Sequence, residues 1–253
     1  MRVSIVTVTY NAESTIERTL QSVAAQKGVD VEHIIMDGKS KDRTAEIALK
    51  YQQSMASEGR RVVVVSEPDK GLYDAMNKAI ALATGDFICF LNAGDKLHGA
   101  NVLRDTIFKE VKEPDNVGVF YGNTDIVDDE GNFLRKRRLA PPEHLTWKSF
   151  KDGMLVCHQA FYVNRSIAQE YNLEYRFSAD FDWCIRCMKE GDKQGMKNVY
   201  TEQVMADYLS EGMTTANHKA SLNERFRIMA KHYGWVATIA QHIWFVFRVL
   251  IKK

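Results

Sequence analysis

Four apolar runs of six residues punctuate the first hundred positions: Val3–Val8, Val31–Met36, Arg61–Ser66 and Asp86–Leu91, the third with four consecutive valines. Short, nearly continuous apolar runs rich in β-branched residues predict strands buried on both faces. Glu13–Gln26, Arg43–Gln53 and Gly71–Ala83 lie between them, mix apolar with charged positions, and predict helices. The alternation predicts an α/β fold with a mostly parallel central sheet flanked by helices. It does not fix the strand order. Beyond this half the pattern is more mixed. Gly118–Asn123 and Phe133–Lys136 predict strands around a turn at 128–132, whose acidic run lacks calcium-loop spacing. Gln159–Val163 predicts a short strand and Ser178–Glu190 a helix, and two helices are expected from about Thr215. The organisation expected is a domain over 1–214 with a C-terminal helical extension over 215–253.

The 253 residues carry a net charge of +1, which gives no global field for nucleic acid. The charge is unevenly placed. Residues 217–253 hold seven basic residues and one acidic residue, leaving 27 basic and 32 acidic elsewhere, so a basic tail follows a mildly acidic body. Cys184 and Cys187 form a C-x-x-C, but the second ligand pair of a zinc site is missing, and both fall in the predicted helix. Met1-Arg2 ahead of the first strand is too short for a secretory leader. A reduced, cytoplasmic setting is the expectation.

The strand ends are the most informative positions. The first strand leads into Thr9-Tyr10-Asn11, the second into Asp37-Gly38, the third into Glu67-Pro68-Asp69-Lys70-Gly71, and the fourth into Asn92-Ala93-Gly94-Asp95. Ligands of open α/β sheets bind beyond the carboxyl ends of the strands, so four separated segments can serve one crevice. Neither G-x-G-x-x-G nor G-x-x-x-x-G-K-[ST] is present, which argues against dinucleotide oxidoreductases and P-loop NTPases. The crevice is rich in carboxylates. These repel phosphate unless a divalent cation, Mg²⁺ or Mn²⁺, lies between. Taken singly, each segment also reads as a turn or a helix cap.

The stretches "VSIVTVTYNAESTIERTLQSV", "IIMDGKSKDRTAEI", "SEPDKGLYDAMNKAIALATGDFICFLNAGD" and "SADFDWCIRCMKEG" together resemble the family-two inverting glycosyltransferases of the GT-A fold. Enzymes that build bacterial exopolysaccharide, O-antigen or capsule units look most similar. The resemblance implies that Thr9, Tyr10 and Asn11 line the nucleobase pocket and that Asp37 accepts a hydrogen bond from the base. Asp69 and Lys70 would flank base and phosphates, with Asn77 and Lys78 facing the donor. Asn92-Ala93-Gly94-Asp95 takes the place of the family's D-x-D: Asp95 would bind the metal, and Asn92 the ribose or the sugar. Asn92 and Gly94 stand where relatives often carry acids, so metal affinity would depend heavily on the donor's diphosphate.

Inversion at an anomeric carbon needs a carboxylate on the acceptor side to take the hydroxyl proton. Asp180, at the start of the 178–190 helix, is the expected base. Asp182 is the rival, about 200° around the helix, and both also suit a first turn by complementing its dipole. His158 is expected to support the acceptor or diphosphate. Arg135–Arg138 reads as a solvated edge or a contact for an acidic acceptor. At 235–251, WVATIAQHIWFVFRVLI places Ile239, Ile243, Val246, Phe247 and Leu250 on one face and Thr238, Gln241 and Arg248 on another, followed by Lys252-Lys253. This suits a helix in the interface of the cytoplasmic membrane's inner face. Packing on the domain, or on a second copy of the chain, is the alternative. The expected activity is sugar transfer from a nucleotide-diphospho-sugar, a UDP-sugar first, to a glycan or polyprenyl-linked acceptor. The competitors are a sugar-phosphate nucleotidyltransferase, which would need a Gly-rich basic loop after the first strand, and an inactive nucleotide- or glycan-binding homologue.

Overall fold

The computed structural model describes residues 1–109, 116–210 and 217–251, with side chains as far as 247. The expected boundary at 214/215 and the side chains of Arg248, Leu250, Lys252 and Lys253 lie outside the described residues. One sheet organises the molecule. Its strands are β1 (Arg2–Thr9), β2 (Asp30–Asp37), β3 (Arg61–Ser66), β4 (Phe87–Phe90), β5 (Lys96–Leu97), β6 (Val117–Val127), β7 (Phe133–Lys136), β8 (Phe161–Asn164) and β9 (Lys197–Leu209), in the order β3-β2-β1-β4-β8-β6-β9-β5, with β7 paired to β6. β3, β2, β1 and β4 are mutually parallel; β8 enters antiparallel to both β4 and β6, and β9 runs parallel to β6.

The helices are α1 (Ile16–Ala24), α2 (Thr44–Ser57), α3 (Leu72–Leu82), α4 (Ala179–Lys193), α5 (His218–Tyr233) and α6 (Trp235–Ile251). Helix α1 starts three residues later than its pattern suggests. The Ala12 carbonyl accepts from Thr15 and Ile16, and the Glu13 carboxylate accepts from the Arg43 amide, so a turn replaces the first helical turn. Strand β8 begins at Phe161 rather than Gln159, because 158–160 coil into a short 3-10 turn. Strand β9 has no apolar run to announce it. Its residues KNVYTEQVMADYL are half exposed through 204, and its register to β6 shifts three times.

Both faces of the sheet are packed. On one side Trp183 of α4 stacks on Tyr171 at 4.9 Å between centroids and meets Phe90 edge-on at 5.5 Å. Rings of this size, fully buried, each stabilise by about 2–3 kcal/mol. Cys184 and Cys187 lie in this core, where burial pushes both thiols up. They are packing residues, as the missing ligand pair implies. Helix α5 closes the same side: Ile228 and Met229 enter the core, and the His232 ring meets the buried Asp182 carboxylate at 2.7 Å. The amphipathicity of α6 is inverted for a surface helix. Thr238 is buried and Gln241 donates to Asp152, whereas Val236, Ile239, Ile243, Trp244, Val246 and Phe247 face outward.

Candidate active site

Beyond the carboxyl ends of β1 and β4 lies an open crevice of about 280 Å³. Thr9, Tyr10, Asn92, Ala93, Asp95, His158 and Asp180 all line it, so segments up to 171 residues apart meet there. Their placement follows from local chain chemistry. Strand β4 is apolar and fully buried through Leu91, and the chain then turns at Gly94, whose φ of +102° is open to glycine at no steric cost. The Gly94 amide donates to Thr19 Oγ1 at 2.9 Å, and that hydroxyl donates to the Asp95 carbonyl at 2.7 Å. The turn is thereby pinned to α1 with the Asp95 side chain pointing inward.

Among the described residues, the buried Asp95 carboxylate has no cationic hydrogen-bond partner. Its oxygens accept from Gln159 Nε2 at 2.7 Å and from the Leu209 amide at 3.0 Å. Burial pushes its pKa up to about 6, against the opposing pull of Gln159 and Leu209. Beside it, Asn92 Oδ1 and Thr9 Oγ1 are buried with no hydrogen-bond partner among the described residues. Unpaired buried oxygens are costly. Three oxygen donors held in this way suit a hard cation or a donor-rich ligand.

Asp180 forms the opposite wall. Burial alone would raise its pKa, but the His158 ring, the charge of Arg225 and the Phe181 amide together lower it. One carboxylate oxygen accepts from the Tyr73 hydroxyl at 3.2 Å and from Phe181 N at 2.9 Å; the other lies 3.4 Å from His158 Nδ1. His158 Nε2 is 3.3 Å from Asn92 Nδ2. With the Asn92 amide on Nε2, the other ring nitrogen, Nδ1, is the one turned to Asp180. A polar chain thus runs from Asn92 through His158 to Asp180 and Tyr73.

The loop ahead of Asp180 is held from a distance. Glu224 on α5 accepts from three consecutive amides, those of Arg176, Phe177 and Ser178, at 2.8, 2.9 and 2.9 Å. Arg176 lines the crevice and places its guanidinium 5.7 Å from the Phe177 ring centroid.

Other expected residues stand beside the crevice rather than in it. The Asp37 carboxylate is buried and accepts from Ser40 and Ser66. Gly38 follows it, and a Cβ there would meet Asp69 Oδ2 at 2.5 Å and the Tyr10 ring at 3.4 Å. Asp37, Asp69 and the Tyr10 ring therefore frame one notch next to the crevice, which a side chain at 38 would crowd against Asp69. Asn11, with φ of +48°, accepts from the Lys41 amide and braces the rim. Lys70 is exposed, and its amide is fixed by Asp74.

Three expectations need correction. Asn77 does not face the donor side: its amide nitrogen donates to the Tyr171 carbonyl at 3.0 Å and its oxygen accepts from the Tyr171 amide at 2.6 Å. Lys78 is spent on Glu67 and the Pro68 carbonyl. Asp182 lies away from the crevice, its two oxygens taken by Arg186 at 2.6 Å and His232 at 2.7 Å. Tyr73, Gln159, Arg176 and Tyr208 line the crevice unforeseen. Tyr73 and Gln159 fall inside motifs whose neighbours drew attention, while Tyr208 sits on the strand that has no sequence signal.

A crevice at the carboxyl ends of the parallel strands of a mixed sheet, with buried carboxylates in its wall, gives an α/β protein with the makings of an active site. Residues 4–171 match the family described as Glycosyl transferase family 2; the chain belongs to that family and is a glycosyltransferase of GT-A fold. A PGL/p-HBAD biosynthesis glycosyltransferase of Mycobacterium bovis is 34% identical over 209 residues, covering 81% of this chain and 75% of the relative. The amylovoran biosynthesis glycosyltransferase AmsB of Erwinia amylovora is 31% identical, covering 85% and 72%. Among solved structures, S. aureus TarS 1-349 in complex with UDP superposes with a TM-score of 0.67 at 16% identity, over 91% of this chain and 64% of that one. The mannosyltransferase PcManGT of Pyrobaculum calidifontis, in complex with GDP-Man and Mn²⁺, gives 0.62 at 13% identity, over 94% and 73%.

Proposed function

We propose that the chain transfers a sugar, with inversion, from a nucleotide-diphospho-sugar to a hydroxyl of a lipid-linked glycan during synthesis of a bacterial surface polysaccharide or glycolipid. The relatives named for PGL/p-HBAD and amylovoran biosynthesis support the product class. Structural neighbours holding UDP, UDP-GlcNAc and GDP-Man support the donor class, with UDP first. The observation that carries the reading is Asp180: a carboxylate whose neighbours lower its pKa, lining the same crevice as the Asp95 carboxylate and as Thr9 and Asn92, whose oxygens lack partners among the described residues.

Asp95, with Asn92 Oδ1 beside it, would hold Mg²⁺ or Mn²⁺. Among the described residues no three His, Cys, Asp or Glu side chains cluster to hold a metal, so the donor's diphosphate would complete the shell. When bound, the cation supplies positive charge to the departing nucleoside diphosphate. The chain's own residues do the rest. Tyr10 and the Gly38 notch take the base. The acceptor oxygen forms its bond to the anomeric carbon as the bond from that carbon to the diphosphate oxygen breaks, and Asp180 takes the hydroxyl proton. His158 and Tyr73 fix the orientation of that carboxylate. An α-linked donor then gives a β-linked product.

The outward apolar face of α6 supports a location on a membrane surface, close to a lipid-linked acceptor. Among the described residues no helix is long and apolar enough to cross a membrane.

The test is Asp180→Asn, assayed by transfer to membrane-extracted acceptor lipids. Transfer is expected to fall by about 10²–10⁴-fold, with donor binding intact. Near-normal turnover would remove Asp180 from the role of base.

A further inference from the structure

Helix α4 carries Asp180 in its first turn, yet the start of that helix is held from outside. Ser178 stands at the N-cap position, and its side chain makes no capping hydrogen bond. A serine there ordinarily accepts from an amide of the first turn. Here its hydroxyl turns to α5 instead. Ser178 Oγ lies 2.9 Å from Ser221 Oγ and donates to the Ser221 carbonyl at 3.3 Å. Both serines are buried.

Glu224 completes the hold. It lies three residues after Ser221, hence on the same face of α5. Its two carboxylate oxygens divide three amides between them: Oε1 accepts from Arg176, and Oε2 from Phe177 and Ser178. Hydrogen bonds to an ionised acceptor are roughly twice as strong as neutral ones. Helix α5 is itself anchored. Ile228 and Met229 are buried in the core, and His232 near its far end meets Asp182 at 2.7 Å. The Glu224 carboxylate thus ties the 176–178 segment to a helix that is docked at both ends. Arg225, the next residue, places its guanidinium 6.0 Å from the ring centroid of Phe181, the neighbour of Asp180.

This hold bears on the reaction because of where Asp180 sits. It is two residues beyond Ser178. The Tyr73 hydroxyl, the Phe181 amide and the His158 ring act on its carboxylate. The α5 contacts act on the chain that carries it. In a single displacement the base must meet the acceptor hydroxyl as the new bond forms, and a misplacement of about 1 Å can cost about a hundredfold in rate. Thr9, Asn92 and Asp95 are carried elsewhere, by β1 and by the turn after β4.

We propose that the Ser221–Glu224 turn of α5 is a positioning element for the base: it fixes the chain entering α4 so that Asp180 is presented to the acceptor hydroxyl. The proposal rests on Asp180 being the base, as put forward above. A double-mutant cycle of turnover on the full chain tests it, with membrane-extracted acceptor lipids and radiolabelled UDP-, GDP- and dTDP-hexoses as donors. Glu224→Ala should lower kcat at least about tenfold in the parent chain and less than about twofold in an Asp180→Asn background, where no base is left to aim. Ser221→Ala should follow the same pattern with a smaller first factor. Glu224→Gln, which keeps one acceptor oxygen, should lose less with the same non-additivity, and is the variant to read if Glu224→Ala does not fold. Nucleotide-induced stabilisation should be unchanged in all of them. An equal factor in both backgrounds would overturn the proposal, because a general loosening of the fold acts with or without the base. So would near-normal kcat in Glu224→Ala, or a raised donor KM. Near-normal turnover in Asp180→Asn, or no transfer by the parent chain with any donor, would instead overturn the reading on which the proposal rests, and the proposal with it.

Discussion

Asp95 shows how one residue can be built at a cost to the fold. Its folded pKa of about 6 lies above the value of a free carboxyl, so the folded state holds a proton that the unfolded chain has released. That contribution to stability is fully present below about pH 4 and is lost as pH rises to about 6; it amounts to about 3 kcal/mol. Asp95→Asn should therefore gain on the parent chain by about that much between pH 4 and 6.5, and by no more above it. Urea unfolding of both proteins across this range checks the sign. Donor binding should show the opposite trend, weakening below pH 6 as the carboxyl takes up its proton and stops attracting a cation. The two acids were legible in the sequence for different reasons. Asp95 follows a run too apolar to end on a charge by chance, whereas Asp180 was separated from Asp182 only by helical phase. Asn77 misled because its amide is used by the backbone of Tyr171, 94 residues on, and no local pattern reports such a contact.

At the scale of elements, the parallel half of the sheet could be read directly, because a strand buried on both faces must be apolar throughout. Strands β5 and β9 could not. Their pairing is antiparallel, β9 is half solvated with an irregular register, and its role is to bring Tyr208 and the Leu209 amide to the crevice. The clamp from α5 was equally hidden, since a lone glutamate on a basic helix carries no signal of three amides waiting elsewhere. Glu224→Ala should free the 176–178 segment and cost about 2–3 kcal/mol, as a charged acceptor is lost. Stopped-time assays should show kcat down more than tenfold with donor KM nearly unchanged, and Glu224→Gln should recover part of it. A fall in donor affinity instead would mean that the clamp serves the nucleotide side.

The whole molecule joins the crevice, a neighbouring cavity and an outward apolar helix on one sheet scaffold. Helix α6 turns its polar side to Asp152 and its apolar side away, the feature on which the proposed membrane contact rests. Ile243→Asp with Trp244→Asp should abolish co-sedimentation with anionic vesicles while leaving the melting temperature within about 2 °C, since exposed positions contribute little. Retained vesicle binding would assign that face to another partner. In the proposed function the strand ends hold a nucleoside diphosphate through a cation at Asp95. Its most direct test is a thermal-shift series with UDP, GDP, dTDP and CDP, each with Mn²⁺ and with EDTA. Stabilisation of about 3 kcal/mol by one nucleotide near a hundredfold above its Kd is expected, lost with EDTA and lost in Asp95→Ala. Stabilisation that survives both, or none with any nucleotide, would contradict it.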